Sequence, residues 1–402
     1  MSVIATSLLI YTKQTRMLFS TLCLISLIQA CGSESTPDAP VIPRDSSPYS
    51  YQQPELSNDG WSIGHINDFG IEATAFDAMM NNIRTGKYGY RFIDSVVIIK
   101  NNTIIFDEQM RTELDLADSW ANNTDLELHI LNSVTKSFTS ALIGIAIDQA
   151  YIENTDVKIH DYFQHKQPIA NWSQNKEELT LKNWLTMRHG YQWDEWNVSY
   201  LDSSNQNSQM NNAQDPMQFL LDQPMVTNPG ETFAYSTGVS FGIGRLLEHA
   251  TNQSVIDFMT QNLFDPLGIK KWDYWNLDGQ LHTGSALYLT ARDMAKFGQL
   301  FLNNGQWNNE QLISASWVAQ STAQHHDSGN WGYGYQWWTT DFTVEGNIIK
   351  SYYADGFGGQ YIFVLPEIDA VVVFNGHAYQ DGEIQQYSVR DILTNDILPL
   401  IN

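Results

Sequence analysis

At 402 residues, with 43% hydrophobic and 12% aromatic content, the chain has ample material for a core and length for one large fold or two to three domains. A formal charge of −24 argues against nucleic acid and anionic lipid headgroups as partners. The two cysteines, Cys23 and Cys31, both lie near the N-terminus, so no disulfide staples the body and its core alone must hold it.

Lys13 and Arg16, with no acid before residue 31, precede an apolar run from Leu18 to Ile28. That run is too short to span a membrane, and residues 1–30 read as a secretion signal. Leu27-Ile28-Gln29-Ala30-Cys31 resembles the lipobox of bacterial lipoproteins. The resemblance implies cleavage before Cys31, lipidation of its thiol, and residence at the periplasmic face of a bacterial membrane. An ordinary cleaved signal with an incidental cysteine is the alternative. Loss of the two cations takes the charge from −24 to −26. Residues 31–58, rich in Ser, Pro, Asp, Gln and Asn, read as a flexible tether.

Phe92–Lys100 and Thr103–Phe106 are β-branched runs joined by Asn101-Asn102, a predicted hairpin. A helix opens at Ser133-Val134-Thr135-Lys136, where Val134, Phe138, Ala141, Leu142, Ile145 and Ala146 recur at three- and four-residue steps as an amphipathic stripe. From about 150 to 290 the pattern is mainly helical, with periodic segments at Leu179–Met187, Gly242–Ala250 and Ser254–Phe264. Ala291–Leu302 is a further helix, ended by Asn303-Asn304-Gly305. Strand signals return at Tyr333–Thr340, Ile348–Tyr353, Gln360–Leu365 and Ala370–Phe374, before a terminal helix, Val389–Leu398. Strands at both ends around a helical middle predict one α+β domain, residues 59–402. Its antiparallel sheet, about 59–150 and 290–402, is flanked by helices and interrupted by an all-helical subdomain, about 151–289.

A serine and a lysine three apart at the head of a helix share one face, where positive backbone potential and free N–H groups also gather. That suits an acylating serine with a lysine base. The string alone is weak: Ser173-Gln174-Asn175-Lys176 repeats it in a polar stretch that reads as a solvated loop, and a helix cap is the bland reading of Ser133. A rival nucleophile is Ser240 in Gly238-Val239-Ser240-Phe241-Gly242. With Asp369 and His377 it has the chain order of an α/β-hydrolase elbow, but it lacks the buried strand such an elbow needs before it. No metal or other cofactor is expected, since no paired-Cys or His-Glu-x-x-His motif occurs and His325-His326 stands alone.

Three segments in order, Ser133-Val134-Thr135-Lys136, Leu185-Thr186-Met187-Arg188-His189-Gly190 and Pro229 to Gly238, together resemble the serine β-lactamase-related superfamily. Leu289 to Gly298 and Gly356-Phe357-Gly358-Gly359-Gln360 extend the likeness over roughly residues 75 to 400. That superfamily includes class C β-lactamases, DD-peptidases, carboxylesterases and 6-aminohexanoate-dimer hydrolases, and the pattern here is most similar to the last. The resemblance implies a β-lactamase/DD-peptidase-like fold. It implies Ser133 as nucleophile, Lys136 as base and Tyr235 as proton relay, with the backbone N–H groups of Ser133 and Gln360 as oxyanion hole. Thr237, in the place usually held by Asn or Ser, and Phe357, Gly358 and Gly359 are the substrate-binding residues the resemblance implies.

Phe357-Gly358-Gly359 takes the place of Lys or His, a small residue and Gly. Losing the cation predicts poor handling of anionic substrates, and so an ester or amide hydrolase acting on a small molecule. Activity on β-lactams or cell-wall peptides, and a non-catalytic binding lipoprotein of the same fold, are the alternatives. His282-Thr283-Gly284-Ser285 imitates the third motif but lies too early in the chain; it reads as a loop near the pocket mouth from which His282 contacts substrate. Tyr191 and Trp193 are further candidates for the pocket lining.

Overall fold

The computed structural model describes residues 47–200, 202–379 and 388–402. The segments read as a signal and most of the tether, with Cys31, lie outside them. No helix among the described residues is long and apolar enough to cross a membrane.

A nine-stranded sheet organises the chain. Its strands are β1 (Ser62–Ile63), β2 (Ile93–Lys100), β3 (Thr103–Gln109), β4 (His326–Asp327), β5 (Gly332–Tyr333), β6 (Trp338–Val344), β7 (Asn347–Gly356), β8 (Gln360–Leu365) and β9 (Ala370–Gly376). The order is β1-β3-β2-β9-β8-β7-β6-β5-β4. The last strand therefore inserts beside the first hairpin, with Val373 opposite Val97 and Phe374 opposite Val96. All neighbours are antiparallel except β1, which runs parallel to β3 at the edge and gives no sequence signal at two residues long.

Both faces of the sheet are covered. Val97, Ile99, Ile362, Val364, Val371 and Val373 face one core, while Val96, Ile98, Phe363, Leu365, Val372 and Phe374 face the other. Alternation along β2, β8 and β9 assigns these residues to faces, and burial of both faces explains why β2 reads as an unbroken apolar run. The second face is closed by the C-terminal helical turns from Val389 to Ile401 and by α1 (Asp77–Arg84), which the sequence reading did not anticipate. On the first face lie α2 (Thr135–Asp148), α3 (Leu181–Leu185), α4 (Thr237–Thr251) and α5 (Ala291–Leu302). Gly298 lets α5 lie on the sheet, since a Cβ there would sit 2.6 Å from Val371 and 2.8 Å from Ile362.

Three expectations are corrected. The helix after Ser133 is not amphipathic: every residue from Thr135 to Ala146 is buried, because the helix is wrapped on all sides by α4, the sheet and the insertion. Two of its buried hydroxyls find carbonyls on neighbouring segments, Ser137 donating to Gln336 at 2.7 Å and Thr139 to Thr283 at 2.8 Å. The insertion is not wholly helical either. It ends in short strands, Trp272–Tyr274 and Leu287–Leu289, the latter also pairing with His129–Ile130 just before the serine. The strand foreseen at 333–340 is broken by a turn at 334–337 and resumes as β6, because Gln336 adopts φ +62° and turns its amide inward.

Candidate active site

Ser133 lies in a one-turn 3-10 segment, Asn132–Val134, that runs directly into α2. Its neighbours from Leu131 to Ser140 are buried, while Ser133 itself keeps partial exposure. Asn132 sets that geometry. It adopts φ +45°, a conformation asparagine tolerates, and its side-chain N–H donates to the Phe357 carbonyl at 2.6 Å. The Ser133 turn is thus braced to the turn between β7 and β8.

Lys136, one helical turn on, is 1% exposed. Its Nζ lies 2.9 Å from Ser133 Oγ, 3.0 Å from Thr237 Oγ1 and 2.8 Å from the Gly284 carbonyl oxygen. Burial pulls its pKa down to about 8, and the Glu195 carboxylate pulls the other way. Tyr235 closes the group. Lys136 Nζ stands 4.9 Å from its ring centroid, and its hydroxyl shares a hydrogen bond with Ser133. Burial, then the Glu195 charge, hold the phenol well above its ordinary pKa, so Tyr235 is a neutral donor.

The turn after β7 carries Phe357, Gly358 and Gly359. Gly358 (φ +96°) and Gly359 (φ +104°) adopt conformations open to glycine, and a Cβ on Gly358 would sit 2.2 Å from the Tyr379 ring. Gln360 opens β8 with its side chain turned away from Ser133. Its amide donates to the Gly376 carbonyl at 2.6 Å and accepts from Asn375 at 3.0 Å, which ties the turn to β9. Phe357 is half-buried, with its ring 5.6 Å from Tyr200 and 6.0 Å from Tyr379. On the other side, Tyr235 lies against Trp196 at 5.1 Å and Trp338 at 5.6 Å, both near-parallel. Trp196 is 53% exposed, so an aromatic surface borders the serine.

Several expected pocket residues lie elsewhere. His282 is fully buried behind the lysine: Nδ1 accepts from Gly284 N–H at 3.1 Å and Nε2 lies 3.2 Å from Asn211 Oδ1. It shapes the loop whose carbonyl holds Lys136 and does not reach the pocket mouth, because Asn211 and the ring of Trp275 enclose it. Tyr191 is likewise buried, bridged to Met225 and packed inside the insertion. Trp193 serves the site indirectly, donating to Glu195 at 2.7 Å. His189 accepts from Tyr191 N–H and holds the Ala234 carbonyl at 2.8 Å, which positions the residue before Tyr235. Ser240 is no elbow: it lies inside α4, fully buried, and donates to Gln336 Oε1 at 2.6 Å. Asp94, Asp115 and His129 bring ligand-type atoms within 4.8 Å of one another. Asp94 also pairs with His377 at 2.8 Å, and Asp115 with Arg111 at 3.0 Å.

Glu195 escaped the sequence reading. It is 1% exposed and accepts from Trp193 Nε1, the Thr237 N–H and hydroxyl, and the Tyr200 hydroxyl, at 2.6 to 2.9 Å. An acid inside the aromatic stretch Trp193-Asp194-Glu195-Trp196 was the available signal.

The buried histidines carry an expectation for stability. Burial lowers the pKa of His189 to about 4 and that of His282 to about 3. As pH falls below about 6.5 the unfolded chain takes up protons that these folded rings refuse, so their contribution is lost progressively toward pH 4. Between those limits wild type should lose about 3 kcal/mol more than a His282→Asn variant, measured as urea unfolding free energy against pH. Parallel curves for the two proteins would disprove a neutral buried His282.

A serine, a lysine within hydrogen-bond reach of it and a buried phenol beside them stand on a helix-covered antiparallel sheet. The beta-lactamase family model matches residues 93–393, and the chain belongs to that family. An uncharacterised protein of Alkalihalophilus pseudofirmus is 23% identical over 325 residues, 72% of this chain and 85% of its own length. Among solved structures, a suspected 6-aminohexanoate-dimer hydrolase from Bacillus anthracis is similar with a TM-score of 0.59 and 20% identity, covering 73% of this chain and 76% of that one. EstCE1, a hydrolase with promiscuous acyltransferase activity, is similar with a TM-score of 0.62 and 13% identity, over 82% of this chain and all of that one.

Proposed function

We propose that the protein hydrolyses an ester or amide bond of a neutral small molecule through an acyl-enzyme on Ser133. The observation that carries this reading is the buried Lys136 amine 2.9 Å from Ser133 Oγ. Neutral Lys136 takes the hydroxyl proton as Ser133 attacks the carbonyl carbon. The backbone N–H groups of Ser133 and Gln360 receive the oxyanion. Tyr235 hands its proton to the leaving alcohol or amine and recovers one from the Lys136 ammonium, and water then attacks the acyl carbonyl, its proton returning through Lys136 to Ser133 Oγ as the acid leaves. Anchoring of the mature chain through Cys31 at the periplasmic face belongs to the same proposal, supported by its lipobox-like segment.

Substrate class follows from what borders the serine. Phe357 stands where a cation would receive a carboxylate, and Trp196 and Trp338 add an aromatic flank. Neutral aryl or alkyl esters and anilides should therefore be turned over at least about 100-fold more efficiently than a chromogenic β-lactam, the difference of a lost charge-assisted hydrogen bond or two. A kcat/KM panel on the described body decides, and equal efficiency on the β-lactam would sink the neutral-substrate reading. Phe357→Lys should narrow the gap by on the order of ten-fold, by raising β-lactam kcat/KM rather than by losing ester turnover.

A further inference from the structure

Nζ of a neutral lysine has four tetrahedral directions: one bond to Cε, two N–H bonds and one lone pair. Around Lys136 two acceptors and the nucleophile occupy the three free directions: Thr237 Oγ1, the Gly284 carbonyl and Ser133 Oγ. The carbonyl can only accept. The threonine hydroxyl can accept or donate, and the direction of its single proton decides what Lys136 does with its lone pair. That proton points to Glu195 Oε1, 2.6 Å away. The other oxygen of Glu195 accepts from Trp193 Nε1 and Thr237 N–H, so the carboxylate has nothing to donate and cannot reverse the arrangement.

We infer that Glu195 is a positioning residue that, by fixing the Thr237 hydroxyl as an acceptor toward Lys136, leaves the lysine lone pair facing Ser133. The inference rests on the hydrolase reading with Lys136 as base. The carboxylate has a second effect through space, because its negative charge favours the ammonium and so sets where the base titrates.

The other titratable groups facing Lys136 do not change charge where it does. His282 is held neutral down to about pH 3, and Tyr235 is held protonated well above its usual range. Asp355, which reaches the site through its influence on Tyr235 and Tyr333, has its carboxyl raised to about 6, below the lysine. A limb near pH 8 therefore reports Lys136 under the influence of Glu195.

The test is the pH profile of kcat/KM for a neutral ester in Glu195→Gln, Thr237→Val and Thr237→Ser, with fluorophosphonate labelling of each. In Glu195→Gln the amide donates to Thr237, whose proton turns to the lysine and competes for its lone pair. The plateau should fall about 10- to 100-fold, and the acid limb should move down by on the order of one pH unit. Thr237→Val should lose plateau activity to a similar extent with its limb near 8, and Thr237→Ser should restore it. A lower plateau with an unmoved limb in Glu195→Gln would reduce Glu195 to a structural role and overturn the inference. If Glu195→Gln does not fold, full activity in Thr237→Val overturns it, and loss rescued by serine supports it. Labelling that survives in a Ser133→Ala control would instead mark failure of the hydrolase reading itself.

Discussion

A Ser133→Ala variant should take up no fluorophosphonate and hydrolyse esters on the order of 10⁴- to 10⁶-fold more slowly than wild type. The magnitude follows from how little else at the site can attack a carbonyl. Thr237 Oγ1 is committed between Lys136 and Glu195, and the Tyr235 phenol is held neutral. Ser240 is sealed in the core against Gln336. What remains is binding and the oxyanion donors, which alone give a modest residual rate. Intact-mass analysis of wild type, Ser133→Ala and Ser240→Ala after labelling provides the check. Loss of the adduct only in Ser240→Ala would refute the site, and absence of an adduct in folded wild type would favour a binding protein of the same fold.

Lys136 should be nearly as sensitive, and its loss should carry a signature. Wild-type kcat/KM should rise with pH to a plateau, with a midpoint near 8. The amine is a base only when deprotonated, and burial brings that midpoint down from 10.5 to about 8. Lys136→Ala should lower kcat/KM by on the order of 10²- to 10⁴-fold and abolish the limb. Lys136→Arg keeps the charge beside Glu195 but cannot give up its proton, so it should be as inactive as the alanine variant. Substantial activity in the arginine variant would show that the residue acts as a fixed charge, and the base would have to be sought in Tyr235.

Much of this site was legible in the sequence for a local reason. Ser133 and Lys136 lie three residues apart across one helix start, Tyr235 comes just before the N-cap of another, and Gly358 and Gly359 mark a turn whose backbone favours glycine. The strands that read as continuous β-branched and apolar runs, β2, β8 and β9, fell where expected for the same local reason. What stayed hidden is set by partners far along the chain. His282 and Asn211 are 71 residues apart, and nothing in His282-Thr283-Gly284 distinguishes a buried brace from a pocket wall. Glu195 owes its place to Thr237, 42 residues on. Gln336 breaks a predicted strand because its amide is needed beneath α3, at the Leu185 carbonyl. Single buried polar residues have no periodicity, and they are where the prediction of burial from pattern fails.

The brace between Asn132 and Phe357 spans 225 positions, and β2 finds its partner in β9, the last strand to be made. Contacts so distant in sequence are reached only after large loops have closed, which slows folding and leaves little intermediate structure that resembles the finished site. A nascent chain released before β9 would hold a correct serine and lysine with no sheet to receive the glycine turn. Assembly of the glycine turn beside Ser133 thus waits on one of the last segments of the chain to be made.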